Sequence, residues 1–494
     1  DDASLASTET GGASAPSWSP DGRSVVVSVA GGFDARFRLW NRNRDLLRID
    51  VDSGRTQWIA EDARVEVLPR FSPDGRYLAY LRQRGDADST VYPHELIVQD
   101  LRDGSRRSPL QSLDADISSF QWQADGQGLI VQYLDRARDT VASVSLQGVQ
   151  RVLPISAGAG FDVSIDGHLG FVASAHDAPP EASSFDTACL QRDCGTQAAR
   201  TWTRVNAWAG QRALSALREI EYASAHVDGR RIHALVAVPR GSTALASLPV
   251  VVDLHGGPYS ASRRIFDPTR EFFIGRGYIV VQPNYRGSLG YGDAFSRLSD
   301  RRHYPGWYDQ PDAPHEMGLD VVGVLAALRA QGLGDPARVY LRGVSAGALL
   351  TTWTLGRSDG FRAAVAQSWY PGEWGAPDYG YFQLRRYYTR MPWEQGGQQA
   401  IWRRDPIMLA DRIRTPLLLI QGERDWITPL TEVERYYYAL RTRSTVSLVV
   451  YPDEVHGLRR HPASLRNALL QEDAWFRDAR FLDASSRQPV TATP

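Results

Sequence analysis

The chain of 494 residues is 43% apolar, with 14 Trp and 21 Tyr, and exceeds what one hydrophobic core of about 250–300 residues organises, so two or more domains are expected. Its 56 basic residues, all Arg, balance 57 acidic ones, which leaves no basic field of the kind that binds nucleic acid. No hydrophobic run approaches the roughly 20 residues of a membrane-spanning helix, so a membrane-embedded protein is excluded as well.

Residues 1–16 are small and polar and read as a loose leader. A repeat then begins. Trp18-Ser-Pro-Asp-Gly22, Phe71-Ser-Pro-Asp-Gly75, Trp122-Gln-Ala-Asp-Gly126 and Val163-Ser-Ile-Asp-Gly167 each place an apolar residue four positions before a turn glycine. A β-branched or aromatic strand follows every time: Ser24–Val29, Tyr77–Leu81, Leu129–Leu134 and Leu169–Ala173. Leu46–Gly54 and Leu96–Gly104 echo each other between these turns. An all-β pattern recurring at roughly 40–50 residues predicts the blades of a β-propeller over residues 17–214, with a β-sandwich as the alternative. A seven-bladed ring needs about 300 residues, so the expected propeller is incomplete, an arc of about four to five blades. Its open edges predict self-association.

The chain holds two cysteines, Cys189 and Cys194, in a polar loop. An oxidising compartment allows a small disulfide loop there, with two reduced thiols as the alternative. Partners at ligand spacing are lacking, so no metal or other cofactor is expected. A first residue other than Met fits an exported protein after signal removal or an excised fragment; a bacterial periplasmic or secreted location is favoured over a cytoplasmic one.

Near residue 215 the pattern changes, and residues 215–482 predict a doubly wound α/β domain. Lead-in strands at Glu219–Tyr222 and Ala234–Pro239 precede the fully apolar Leu248–Leu254, which suits a buried central strand. Strands at Tyr278–Gln282, Val339–Leu341, Ala363–Gln367, Pro416–Gln421 and Val446–Tyr451 alternate with helices at Met317–Gln331, Leu430–Arg441 and Pro462–Phe481. Residues 483–494 read as a disordered tail.

Within that domain, Gly343-Val-Ser345-Ala-Gly347 follows an apolar strand and starts a helix, the form of a nucleophile elbow with Ser345 exposed at the turn. Asp425 follows the next-but-one strand and His456 the one after, in the chain order Ser, Asp, His. An open α/β sheet places its ligand crevice at these carboxyl ends. The predicted roles are Ser345 as nucleophile, His456 as general base and then acid, and Asp425 as the carboxylate that orients the imidazole. Backbone N–H groups of Gly257, in His255-Gly-Gly-Pro258, and of Ala346 are the predicted oxyanion donors. His94, His168, His226, His233 and His303 lack this context and read as surface or packing residues.

Together His255-Gly-Gly-Pro258, Asn284-Tyr-Arg-Gly-Ser-Leu-Gly-Tyr-Gly292, the Ser345 elbow, the Arg414–Gly422 stretch before Asp425 and Tyr451–Gly457 resemble the prolyl oligopeptidase family, its acylaminoacyl-peptidase-like branch most closely. The resemblance covers about residues 215–480; the Ser-Pro-Asp-Gly repeats resemble the propeller that family places before its catalytic domain. It implies an α/β-hydrolase fold and a serine peptidase acting on short peptides, with the same triad and oxyanion donors. An esterase or isopeptidase with that triad, or a propeller-based binding protein with a vestigial hydrolase domain, are the alternatives. The family's specificity pocket corresponds to Trp369, Tyr370, Trp374, Tyr379, Tyr381 and Phe382, whose alternative role is core packing. Ile427 stands where acylaminoacyl peptidases can carry an Arg for the acyl group, so N-acyl specificity does not carry over. Residues between Phe295 and Asp320 exceed the family's usual length there and are expected at the site entrance.

Overall fold

The computed structural model describes residues 16–30, 44–60, 64–84, 93–190, 199–257, 259–299, 316–369 and 406–478. The chain divides into two compact units. One comprises residues 1–211 with Arg263–Phe266 and Leu289–Asp300; the other comprises 212–262, 267–288 and 301–494. A contiguous division at 214/215 assigns those two short excursions to the second unit. Backbone bonds explain their place in the first: Arg264 N donates to Ala137 O at 2.8 Å, and Arg136 N to Gly290 O at 2.6 Å.

Among its described residues the first unit has four antiparallel meanders of four strands each. They are β1 (Ser17–Trp18), β2 (Ser24–Ala30), β3 (Arg44–Asp50) and β4 (Thr56–Ala60); β5 (Glu66–Phe71), β6 (Tyr77–Gln83), β7 (His94–Asp100) and β8 (Arg106–Arg107); β9 (Asp116–Trp122), β10 (Gly128–Asp135), β11 (Arg138–Ser145) and β12 (Gln150–Val152); and β13 (Ala157–Val163), β14 (His168–Ala175), β15 (Ala178–Asp186) and β16 (Ala199–Thr201). The repeated Asp-Gly turn joins the first strand of each meander to its second, because the same local chemistry recurs. Gly22, Gly75, Gly126 and Gly167 take φ of +71°, +71°, +68° and +84°, a conformation that costs glycine nothing. Asp21, Asp74 and Asp125 each accept the backbone N–H two residues on, at 3.1, 3.0 and 2.9 Å.

The same turns also pack on one another. A Cβ added at Gly75 would lie 3.4 Å from the Pro20 ring, and one at Gly126 would lie 3.6 Å from the Pro73 ring. Pro20 and Pro73, each the residue before its Asp, therefore seat on the glycine of the following meander, whereas a Cβ at Gly167 would meet only Thr187 within 4 Å. Among the described residues nothing lies within 4 Å of a Cβ at Gly22, and Ile165, which occupies the proline position of the fourth turn, is 96% exposed. Trp122 is buried and donates its indole N–H to Arg70 O at 3.0 Å, whereas Trp18 at the matching place in the first meander is exposed. Cys189 is disulfide-bonded. Its sole possible partner within the chain, Cys194, lies outside the described residues.

The second unit is built on one eight-stranded sheet in the order β17-β18-β20-β19-β21-β22-β23-β24. Its strands are β17 (Ala216–Ala223), β18 (Arg231–Val238), β19 (Val250–Leu254), β20 (Ile279–Asn284), β21 (Val339–Val344), β22 (Ala364–Gln367), β23 (Leu417–Gly422) and β24 (Val446–Tyr451). The β17–β18 hairpin pairs antiparallel onto β20, and the five pairings from β20 to β24 are parallel. Val251, Val280, Tyr340, Val365 and Leu418 pack with Phe273, Leu469 and Phe476, which come from helices Pro268–Gly275 and Pro462–Phe476. Their neighbours Val250, Val252, Leu341 and Leu419 are equally buried, so both faces are covered, as the unbroken apolar run of a parallel strand requires. The last helix ends at Phe476, five residues before the expected Phe481, where Arg477 takes φ −91° and ψ 0°.

Candidate active site

Three strand ends of the sheet converge on Ser345. Leu254 of β19 pairs with Gly343 of β21, so the chain leaving β19 runs beside the elbow. Ser345 has φ 58° and ψ −122°, a conformation unfavourable for a residue with a side chain and stored here at the turn. Both elbow glycines are required by space. A Cβ at Gly343 would lie 2.2 Å from Gly347 O, and one at Gly347 would lie 2.3 Å from Leu254 O. The helix Ala346–Leu355 starts directly after the serine, so the N–H groups of its first two residues, Ala346 and Gly347, lack acceptors within the helix.

Beyond β23, the buried Asp425 is saturated. Its Oδ1 accepts from Ile427 N at 3.0 Å and Thr428 N at 2.9 Å; its Oδ2 accepts from Thr428 Oγ1 at 2.7 Å and lies 2.9 Å from His456 Nδ1. Neither Asp425 nor a threonine caps the following helix Leu430–Leu440, whose N-cap is Pro429 without a side-chain bond. His456 follows β24. Ser345 and His456 are tied to adjacent residues at the end of β22: Ser345 N donates to Gln367 O at 3.0 Å, and Gly457 N to Ser368 Oγ at 2.9 Å. Ser345, Asp425 and His456 thus share one edge of the sheet, after β21, β23 and β24.

The turn after β19 lies against the elbow, since a Cβ at Gly256 would sit 3.4 Å from Ser345 Cβ. Gly257, at φ +121°, is exposed at this edge, and any Cβ there would come within 2.6 Å of Tyr259 N. Sequence reasoning missed the support behind this turn. His255 Nδ1 lies 2.8 Å from Gly256 O and its Nε2 lies 2.9 Å from Ser288 Oγ, while the Tyr285 ring stacks on the imidazole at 4.4 Å. Burial against these groups pushes the His255 imidazole down to about 4, only partly opposed by the Gly256 carbonyl. His255 and Ser288 were both visible in motifs quoted for family resemblance; nothing local in either motif says that they meet.

Two buried ion networks brace the surrounding strands. Arg342 of β21 binds Glu472 at 2.7 Å and also pairs with Asp253 of β19. Burial alone would lower the Arg342 guanidinium, but Glu472 and Asp253 together hold it above its usual range. Arg286, fully buried, forms a fork with Asp320 at 2.9 and 2.8 Å and pins the loop that carries Tyr285 and Ser288.

Of the predicted pocket residues, Trp369 is 1% exposed and packs edge-on against Tyr436 at 4.4 Å, and Ile427 is half-buried beside Asp425. Tyr370, Trp374, Tyr379, Tyr381 and Phe382 lie outside the described residues, as do Pro258, His303 and most of the segment between Phe295 and Asp320. The other described histidines from the sequence reading sit elsewhere: His233 faces Glu219 at 3.1 Å and His226 faces Asp228 at 3.0 Å. Among the described residues no group of three or more His, Cys, Asp or Glu could hold a metal ion. No described helix is long and apolar enough to cross a membrane.

Residues 265–480 match the model of the prolyl oligopeptidase family. An uncharacterized peptidase, YuxL, of Bacillus subtilis is 26% identical, with 94% of this chain and 83% of the relative aligned. The alignment runs over 568 positions, more than this chain's 494 residues, so the relative carries segments with no counterpart here. The acylamino-acid-releasing enzyme of Arabidopsis thaliana is 30% identical over 46% of this chain; the match spans 30% of that enzyme's own length. In fold, the chain is similar to the acylaminoacyl peptidase of Pyrococcus horikoshii, with a TM-score of 0.74 at 20% identity over 93% of this chain and 70% of that one.

Proposed function

Residues 265–480 belong to the prolyl oligopeptidase family of serine peptidases, and from that premise we propose that this protein hydrolyses peptide bonds of short peptides through a Ser345–His456–Asp425 triad and an acyl-enzyme. The observation that carries the reading is the Asp425–His456 hydrogen bond of 2.9 Å at the strand ends flanking a left-handed Ser345. With Nδ1–H held by Asp425, Nε2 is the ring nitrogen available as base. Ser345 Oγ attacks the scissile carbonyl as its proton passes to His456 Nε2. The resulting oxyanion is held by the N–H groups of Gly257 and Ala346. Collapse breaks the C–N bond, the leaving amine takes the proton from His456, and water deacylates Ser345 by the same route in reverse. Ile427, half-buried beside Asp425, supplies an apolar wall near the cleavage position, so neutral or aromatic residues are preferred there.

In the first unit, the four meanders are the blades of an incomplete β-propeller. The support is their shared turn chemistry and the seating of Pro20 on Gly75 and of Pro73 on Gly126. An alignment with the Bacillus relative that is longer than this chain agrees with a shortened array. Its ends at Ile165 and Gly22 leave the arc open to longer or bulkier substrates.

The test is a cleavage profile on a mixed short-peptide library with Ser345→Ala as blank, together with fluorophosphonate labelling. Labelling of the native serine and loss of all cleavage in Ser345→Ala and in His456→Ala are expected. Absence of labelling favours a binding protein with an inactive hydrolase unit, and labelling with turnover of esters alone favours an esterase.

A further inference from the structure

We infer that His255 is a positioning residue for the oxyanion site: its neutral imidazole grips the carbonyl of Gly256 and thereby aims the N–H of Gly257 at the crevice. This rests on the reading of Gly257 N–H as an oxyanion donor.

The argument is one of peptide geometry. Gly256 C=O and Gly257 N–H belong to the same planar unit and point in opposite directions across it. Whatever fixes the carbonyl fixes the amide. Two successive glycines have little torsional preference of their own, and Gly257 sits at φ +121°, so without an external restraint this plane is free to turn. His255 Nδ1, 2.8 Å from Gly256 O, supplies that restraint from one residue away.

The proton inventory determines the tautomer. A carbonyl only accepts, so Nδ1 carries the proton that holds Gly256 O. Ser288 Oγ lies 2.9 Å from Nε2 and 2.6 Å from Tyr285 O. Tyr285 O accepts the Ser288 hydroxyl as well as Ser288 N at 3.0 Å, so the serine against the outer edge of the ring is itself held to the loop. Tyr285 completes the clamp: its hydroxyl donates to His255 O at 2.7 Å while its ring stacks on the imidazole with an interplanar angle of 10°. Ser288 and Tyr285 are themselves fully buried on the loop that Arg286 anchors to Asp320. The device is therefore a rigid post behind a flexible pair of glycines. Its effect falls on the transition state, where the oxyanion forms, and not on the ground-state complex.

The experiment compares kcat and KM of His255→Leu, His255→Asn and Ser288→Ala on one peptide substrate, with Ser345→Ala run alongside and a peptide boronate as a tetrahedral analogue. His255→Leu removes the donor and is expected to lower kcat by about 10²-fold with KM within about threefold, the loss typical of one oxyanion donor. Boronate affinity should fall by a matching factor. His255→Asn keeps an amide N–H near the Nδ1 position and should recover at least tenfold of that loss, which rules out a merely structural role. Ser288→Ala, which leaves the Nδ1 bond in place, should lose less than His255→Leu while keeping KM. Equal kcat in the Leu and Asn variants, or a loss expressed as raised KM with unchanged boronate affinity, overturns the inference. If His255→Leu does not fold, His255→Ala, which also removes the donor, takes its place, and wild-type boronate affinity in His255→Ala overturns the inference. Activity persisting in Ser345→Ala overturns the proposed function instead, so the two failures are distinct.

Discussion

Replacing Asp425 by Asn isolates what the carboxylate does, because the structure dictates how the amide must sit. Oδ1 accepts two backbone N–H groups, from Ile427 and Thr428 at 3.0 and 2.9 Å, so the amide oxygen has to remain there. The NH2 then occupies the Oδ2 position, 2.7 Å from Thr428 Oγ1 and 2.9 Å from His456 Nδ1. Thr428 can turn its hydroxyl to accept. His456 can avoid a donor facing a donor only by moving its proton from Nδ1 to Nε2, and in that tautomer it can no longer take a proton from Ser345. The expected loss is about 10⁴ in kcat, the effect of trapping the wrong tautomer in such a triad. This corresponds to about 5.5 kcal/mol of transition-state stabilisation at 1.36 kcal/mol per decade. Folding should be little affected, since both backbone bonds survive. Steady-state kcat on a fluorogenic peptide, with the unfolding midpoint measured on the same preparation, provides the assay. A loss of tenfold or less in a folded variant refutes the orientation argument and the role of Asp425 with it.

Thr428→Val deletes one of the two contacts on Oδ2 in a buried setting, and should cost about 1 kcal/mol, roughly fivefold in kcat, with KM unchanged. Arg342→Met leaves Asp253 and Glu472 facing each other without a cation, and a destabilisation of about 3–5 kcal/mol is expected in urea unfolding; a shift under about 1 kcal/mol would show the pair to be solvated. Acid should weaken the protein through His255, whose folded value of about 4 lies below its usual 6.5. Between these values the unfolded chain binds a proton that the folded chain does not, so stability falls as pH falls from 6.5 to 4 and is unaffected above. The ceiling is about 3 kcal/mol, and nearer 2 because the residue keeps some solvent contact; the urea midpoint of His255→Asn should lack this part of the acid dependence. The proposed open arc predicts concentration-dependent self-association in sedimentation, abolished by Ile165→Asp, whose wild-type side chain is 96% exposed, and a wild-type protein that stays monomeric at its highest attainable concentration rules that out.

Chemistry confined to a few consecutive residues was legible in the sequence. The Asp-Gly turns could be read because an Asp that accepts the N–H two residues on and a glycine at positive φ need no distant partner. The elbow was legible for the same reason: Gly343 and Gly347 are demanded by Ser345's own turn and by the backbone packed against it. Asp425 and His456 could be placed because each directly follows an apolar strand, and strand ends are where an open α/β sheet exposes side chains.

What the tertiary structure decided lies in pairings between residues far apart in the chain. Thr428 serves Asp425 and not the helix beside it, because the chain turns back before Pro429 starts that helix. Trp369 reads equally well as pocket wall or core, and only its seat against Tyr436, 67 positions on, makes it a buried ring. Ile165 looks like its counterparts Pro20 and Pro73, and its exposure follows from there being no further described turn for it to rest on. The post behind Gly257 joins His255 to Tyr285 and Ser288, 30 and 33 positions away, through the pairing of β19 with β20. A sequence specifies local backbone preferences directly, but a buried polar group takes its meaning from the partner that satisfies it, and that partner is chosen by the fold.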